Sequence, residues 1–125
     1  MVAVVLEGSA GFARSVALVL ASLKTPVVLV GPVERALGET VGEIANAAGK
    51  ARHVVGDTRA RGTWEAAVAK AREAFGAPTL LVTPATDVDL EAFARAQGLR
   101  LIVAAGEEDL AAARRLVDGL AAEPS

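Results

Sequence analysis

Apolar residues in this chain gather into five short continuous runs. Each run is followed by a stretch with apolar positions at helical spacing. The runs are residues 2–6, 27–30, 52–56, 79–83 and 100–104. A strand covered by helices on both faces has no polar side, so it reads as an unbroken apolar run rather than an alternation. The segments between, 10–23, 33–48, 61–75, 88–97 and 107–121, are predicted as helices. In the second, Val33, Leu37, Val41, Ile44 and Ala48 form one stripe, with Glu34, Glu39 and Glu43 off it. The third shows Trp64, Val68, Ala71 and Phe75, which places both aromatics in the core. The fifth shows Leu110, Ala113, Leu116, Val117 and Leu120. The first, Phe12 to Leu23, is apolar nearly all round, which predicts the most buried helix of the set.

Stop signals agree with this division. Gly49 follows the second helix, Gly76-Ala77-Pro78 the third and Gly98 the fourth. Five strand–helix repeats with short loops predict one domain over residues 1–125, with a frayed tail at 122–125. Right-handed crossovers then give an α/β fold with a doubly wound, five-stranded parallel sheet of Rossmann-like type. Strand order 3-2-1-4-5 is preferred, and 2-1-3-4-5 is the alternative.

Composition removes several function classes. A hydrophobic fraction of 53% is enough to cover both faces of such a sheet. A net charge of −2, with arginines scattered along the chain, leaves no basic face for nucleic acid. The absence of cysteine excludes disulfides and thiolate metal sites, and the single His53 cannot build a histidine cluster. No apolar run approaches the roughly 20 residues of a membrane span. The first residues do not resemble an export leader, so a cytoplasmic location is expected. Arginine outnumbers lysine and alanine is abundant, a bias in keeping with a GC-rich, thermophilic source.

The candidate chemistry lies in the first turn. Val2-Ala3-Val4-Val5-Leu6 runs into Glu7-Gly8-Ser9-Ala10-Gly11, which opens the helix at Phe12. This aims a helix N-terminus at the carboxyl end of the sheet, where free N–H groups and the helix dipole suit a phosphate. Gly8, Ser9, Gly11 and Phe12 are therefore the candidate binding residues. The plain alternative is a tight turn that needs glycine for backbone reasons alone. Glu7 opposes an anion: at ~5 Å and an effective dielectric of ~20, repulsion is about 3 kcal/mol. Thr83 and Thr86 either edge a pocket or terminate the strand around Pro84. A Walker phosphate loop is absent. Ala104-Ala105-Gly106 lacks the lysine of a phosphoryl-accepting receiver, and Gly31-Pro32 lacks the carboxylate of a methyltransferase.

Residues 1–85 resemble the cofactor half of the short-chain dehydrogenase/reductase family. Gly11-Phe12-Ala13-Arg14-Ser15-Val16-Ala17 is similar to that family's Gly-Ile-Gly-Arg-x-Ile-Ala. Glu39-Thr40-Val41-Gly42-Glu43-Ile44 with Ala47-Ala48-Gly49 resembles its second helix, and Glu73-Ala74-Phe75-Gly76 its approach to strand four. The resemblance implies NAD or NADP as cofactor, with Asp57 at the adenine; an Asx-turn is the other role open to Asp57. Several departures stand against it. Glu7 replaces the family's Thr, and the glycine loop is one residue shorter. The ribose-reading acid after strand two is missing. Thr83-Pro84-Ala85-Thr86 replaces Asn-Asn-Ala-Gly. The family's Tyr-x-x-x-Lys pair has no counterpart, because the chain contains no tyrosine. The chain is thus expected to be a minimal nucleotide-binding module without catalytic residues and without a metal. A non-enzymatic interaction domain that binds no cofactor is the alternative. Strand five, apolar and at a sheet edge, predicts a homodimer formed through that strand and helices four and five.

Overall fold

The computed structural model describes residues 1–122. Five strands, β1 (Ala3–Leu6), β2 (Val27–Gly31), β3 (Ala51–Val55), β4 (Leu80–Thr83) and β5 (Arg100–Val103), alternate with five helices. These are α1 (Gly11–Ser22), α2 (Glu34–Asn46), α3 (Arg61–Ala74), α4 (Val88–Ala96) and α5 (Leu110–Ala122). The strands form one parallel sheet of order β3-β2-β1-β4-β5, the preferred of the two expected orders.

The apolar runs form strands because both faces are covered. β1, β2 and β4 are buried at every residue. Ala3, Val5, Val27, Leu29 and Val82 face a core layer completed by α1, α2 and α5. Val4, Leu6, Val28, Val30 and Leu81 face the opposite layer, where Trp64 and Val68 of α3 meet Leu90 and Phe93 of α4. Trp64 and Phe93 pack ring to ring at 5.6 Å. Phe75 is partly buried against the same layer. The edge strands β3 and β5 are only partly buried, in keeping with their mixed sequences.

Helix α1 is the central helix of its layer, with α5 packed along it. Ala13, Val16, Ala17, Val19, Leu20 and Ala21 are all buried. The fifth helix begins three residues later than its periodicity suggests. Asp109 accepts a hydrogen bond at Oδ1 from the Ala112 N–H at 3.0 Å, so residues 107–109 form an approach loop that ends in a cap. Residue 122 closes α5, and the rest of the expected tail, 123–125, lies outside the described residues. Among the described residues no helix is long and apolar enough to cross a membrane.

Leu29 is fully buried in the α1 layer, and Val88 is 78% exposed at the start of α4. Leu29→Ala should therefore cost about 2–5 kcal/mol. Val88→Ala should change stability by no more than about 0.5 kcal/mol. Urea unfolding midpoints measure both.

Candidate functional site at the carboxyl edge

The carboxyl ends of the strands carry loops β1–α1, β3–α3, β4–α4 and β5–α5. The first three surround a cleft of about 160 Å³, walled by Glu7, Thr58, Trp64, Thr83, Thr86 and Asp87. The chain leaves β1 for β2 on one side, while β4 pairs on the other, so the cleft lies at the switch in strand order. Open α/β sheets bind ligands at this position.

Glu7 is held in an uncommon conformation. Its φ is +57°, a left-handed value that costs a non-glycine residue roughly 1–2 kcal/mol. Two bonds hold it there. Its N–H donates to the Val30 carbonyl at 2.7 Å, and its carboxylate accepts from the Thr58 hydroxyl at 2.7 Å. Its charge consequently faces the cleft. The indole Nε1 of Trp64 donates to the Thr58 carbonyl at 2.7 Å, so one side chain fills the core and walls the cleft. The buried Thr83 hydroxyl donates to the Ala85 carbonyl at 2.6 Å, which tightens the turn around Pro84. Thr83 and Thr86 thus edge the pocket, and Thr83 also terminates the strand. Asp87 caps α4, its Oδ1 accepting from the Leu90 N–H at 2.8 Å.

The glycine turn stands beside this cleft and is shaped by close approaches. A Cβ on Gly8 would lie 2.7 Å from Leu29 Cδ2 and 3.1 Å from the Val5 carbonyl. Gly11 has a φ of +58°, and a Cβ there would sit 3.1 Å from the Gly106 carbonyl. Ser9 is half-exposed. Ala10, the N-cap residue of α1, offers no side-chain cap, and no acid lies in the first turn. The Gly11 and Ala13 N–H groups meet no backbone carbonyl among the described residues. The Phe12 N–H does, donating to the Gly106 carbonyl at 3.1 Å. The Phe12 ring packs against the α1-side core.

The β5–α5 loop is tied to α1 at two further points. Arg14 pairs with Glu108 at 3.3 Å and with Glu43 of α2. The Asp109 N–H donates to the Ser15 hydroxyl at 3.1 Å. This loop therefore occupies one of the helix donors that the sequence assigns to a phosphate.

Other expected residues lie apart from the cleft. Asp57 is exposed, and its Oδ1 accepts from the Arg59 N–H at 2.9 Å, an Asx-turn. It does not line the cleft; its neighbour Thr58 does. His53 lies on edge strand β3, 3.9 Å from Glu34. Among the described residues no cluster of His, Asp and Glu could hold a metal. Sequence reasoning missed Thr58 and Gly106, and it read Trp64 as core alone. Asp87 carried a signal, an Asp three residues before the buried Leu90. The carbonyl of Gly106 carried none.

A parallel sheet of order 3-2-1-4-5, with a glycine turn opening a helix at its switch point, defines a Rossmann-like domain of the nucleotide-binding class. The family model for short chain dehydrogenase matches residues 1–104, and the chain belongs to that family. Solved structures agree. The citronellol catabolism dehydrogenase of Pseudomonas aeruginosa PAO1 is 32% identical with a TM-score of 0.60, covering 66% of this chain and 34% of that one. A variant of actinorhodin polyketide ketoreductase, solved with NADPH, is 28% identical with a TM-score of 0.62, covering 69% and 33%. L-Sorbose reductase from Gluconobacter frateurii, solved with NADPH and L-sorbose, is 25% identical with a TM-score of 0.63, covering 69% and 33%. The chain thus spans about a third of the length of these structures. No curated protein matches it.

Gly11→Ala forces a side chain into a left-handed position facing the Gly106 carbonyl. A loss of about 1–2 kcal/mol in chemical denaturation is expected.

Proposed function

We propose that this chain is an adenine-nucleotide-binding module that takes NAD or NADP at the carboxyl edge and carries no hydride-transfer chemistry of its own. The observation that carries this reading is the cleft at the strand-order switch, beside a helix N-terminus whose Gly11 and Ala13 N–H groups meet no backbone carbonyl among the described residues. Membership of the short-chain dehydrogenase family supports it, as do relatives solved with NADPH. At about 160 Å³ the cleft is smaller than the roughly 300–1,000 Å³ of drug-sized sites. It suits a base, with the phosphates outside it along the open edge toward Gly8, Ser9, Gly11 and Phe12.

Three features weaken the affinity. The Glu7 carboxylate lies in the cleft, the Gly106 carbonyl takes the Phe12 N–H, and Gly31-Pro32 offers no side chain to read a 2′ position. NAD and NADP should consequently bind with similar affinity. The alternative function is an interaction domain that binds no cofactor. The Phe12–Gly106 bond is the observation that favours it, because a filled donor is one fewer for a ligand.

Trp64 is the only tryptophan and walls the cleft, so its fluorescence reports occupancy directly. Titration with adenosine, ADP, NAD and NADP should quench it saturably. Glu7→Gln should tighten ADP and both dinucleotides about 10-fold or more relative to neutral adenosine, because the carboxylate repels the charged phosphates beyond any effect it has on the base. A flat Trp64 signal and no heat in calorimetry with all four ligands would sink the nucleotide reading in favour of the interaction domain.

Hydride transfer in the family's manner needs a phenol as acid, and the chain has none. A positioned general acid contributes typically about 10²–10⁴-fold. Incubation with NADH or NADPH and a panel of ketones and aldehydes should therefore show no oxidation of the cofactor above background.

A further inference from the structure

We propose that β5 is a self-association edge, and that two copies join β5 to β5 antiparallel about a two-fold axis through Ile102. The inference rests on the sheet edge and is independent of nucleotide binding. The Arg100 and Ala104 N–H groups donate inward, to the Thr79 and Thr83 carbonyls, at 2.9 and 2.7 Å. Backbone groups alternate in direction along a strand, so those of Leu101 and Val103 point away from β4. Among the described residues no strand pairs with this side. The edge is apolar over its last three residues: Val103 is 50% exposed, Leu101 and Ile102 are partly buried, and the exposed Arg100 stands at the strand's start. An edge of this kind is a template for another strand.

A second copy fits this edge in three respects. With Ile102 opposite its own symmetry mate, Leu101 of each copy faces Val103 of the other. Both pairs can then exchange backbone hydrogen bonds in both directions. The two sheets continue as one, with each α4 beside its mate on the same face. On that face a shallow groove is lined by Glu91, Arg95, Leu99 and Leu101. Glu91 and Arg95 are exposed, one helical turn apart, and neither forms an ion pair among the described residues. Two antiparallel α4 helices put each Glu91 opposite the other copy's Arg95, so the groove carries charges complementary to itself. A two-fold interface requires such self-complementarity.

The test is sedimentation equilibrium of the full chain from low to high micromolar concentration, with circular dichroism confirming that each variant is folded. Wild type should dimerise. Val103→Pro removes an outward N–H and leaves the β4–β5 ladder its inward donors, so it should give a monomer. Glu91→Arg and Arg95→Glu should each weaken the dimer at least about 10-fold, since like charges then meet across the axis. The double reversal Glu91→Arg/Arg95→Glu should restore association. Both positions are exposed, so this pair keeps the test decisive even if Val103→Pro fails to fold. A monomer at every concentration would overturn the proposal. So would a dimer indifferent to Glu91→Arg and Arg95→Glu.

Discussion

Burial of three strands on both faces is the constraint from which the rest of this structure follows. β1, β2 and β4 are buried at every residue, so every residue in them must be apolar or hydrogen-bonded. Thr83, the one polar residue among them, ties its hydroxyl to the Ala85 carbonyl. Two-sided burial leaves only the strand ends and the outer strands for chemistry. The carboxyl ends hold the cleft, and the outer edge of β5 pairs with no strand among the described residues. The same constraint explains why Gly8 is glycine: Leu29 fills the space in which a Cβ would stand. The turn is therefore shaped first by the core and only then by whatever binds beside it.

The turn also shows a competition that family resemblance alone would hide. A helix N-terminus offers donors that seek an acceptor, and a phosphate is one solution among several. Here Gly106 supplies a neutral acceptor from within the chain, and Arg14 and Ser15 hold its loop in place. One backbone hydrogen bond is worth about 0.5–1.5 kcal/mol net. A charged phosphate that makes a stronger bond can displace such a contact. The arrangement thus gives the Phe12 N–H an acceptor from within the chain.

The fold was legible in the sequence because helices on both faces of a sheet demand unbroken apolar runs, and those runs stand out. The strand order was legible as two candidates, 3-2-1-4-5 and 2-1-3-4-5; both place the glycine turn at an interior β1, and the pairing of β1 with β4 selects the first. The site was legible only in outline. Gly8, Gly11, Thr83 and Thr86 were marked by their positions at strand ends, and the structure places them at the turn and the cleft. The carboxylate of Glu7 reaches Thr58 because its backbone is left-handed, and no spacing rule announces that for a glutamate. The Gly106 carbonyl was invisible for a different reason. A backbone acceptor has no letter in the sequence, and its partner lies 94 residues away, the same separation as that between Arg14 and Glu108.

The pairing of α1 with α5 has a consequence for how the chain is made. Helix α1 is apolar on nearly every side, and one flank is covered only by α5. Roughly ninety residues separate the end of one from the start of the other, and synthesis proceeds at about 5–20 residues per second. The nascent chain therefore carries α1 with that flank uncovered for on the order of 5–20 s. During that interval α1 is open to chaperones, to proteases and to other emerging chains. The emergence of α5 is the event that ends this exposure.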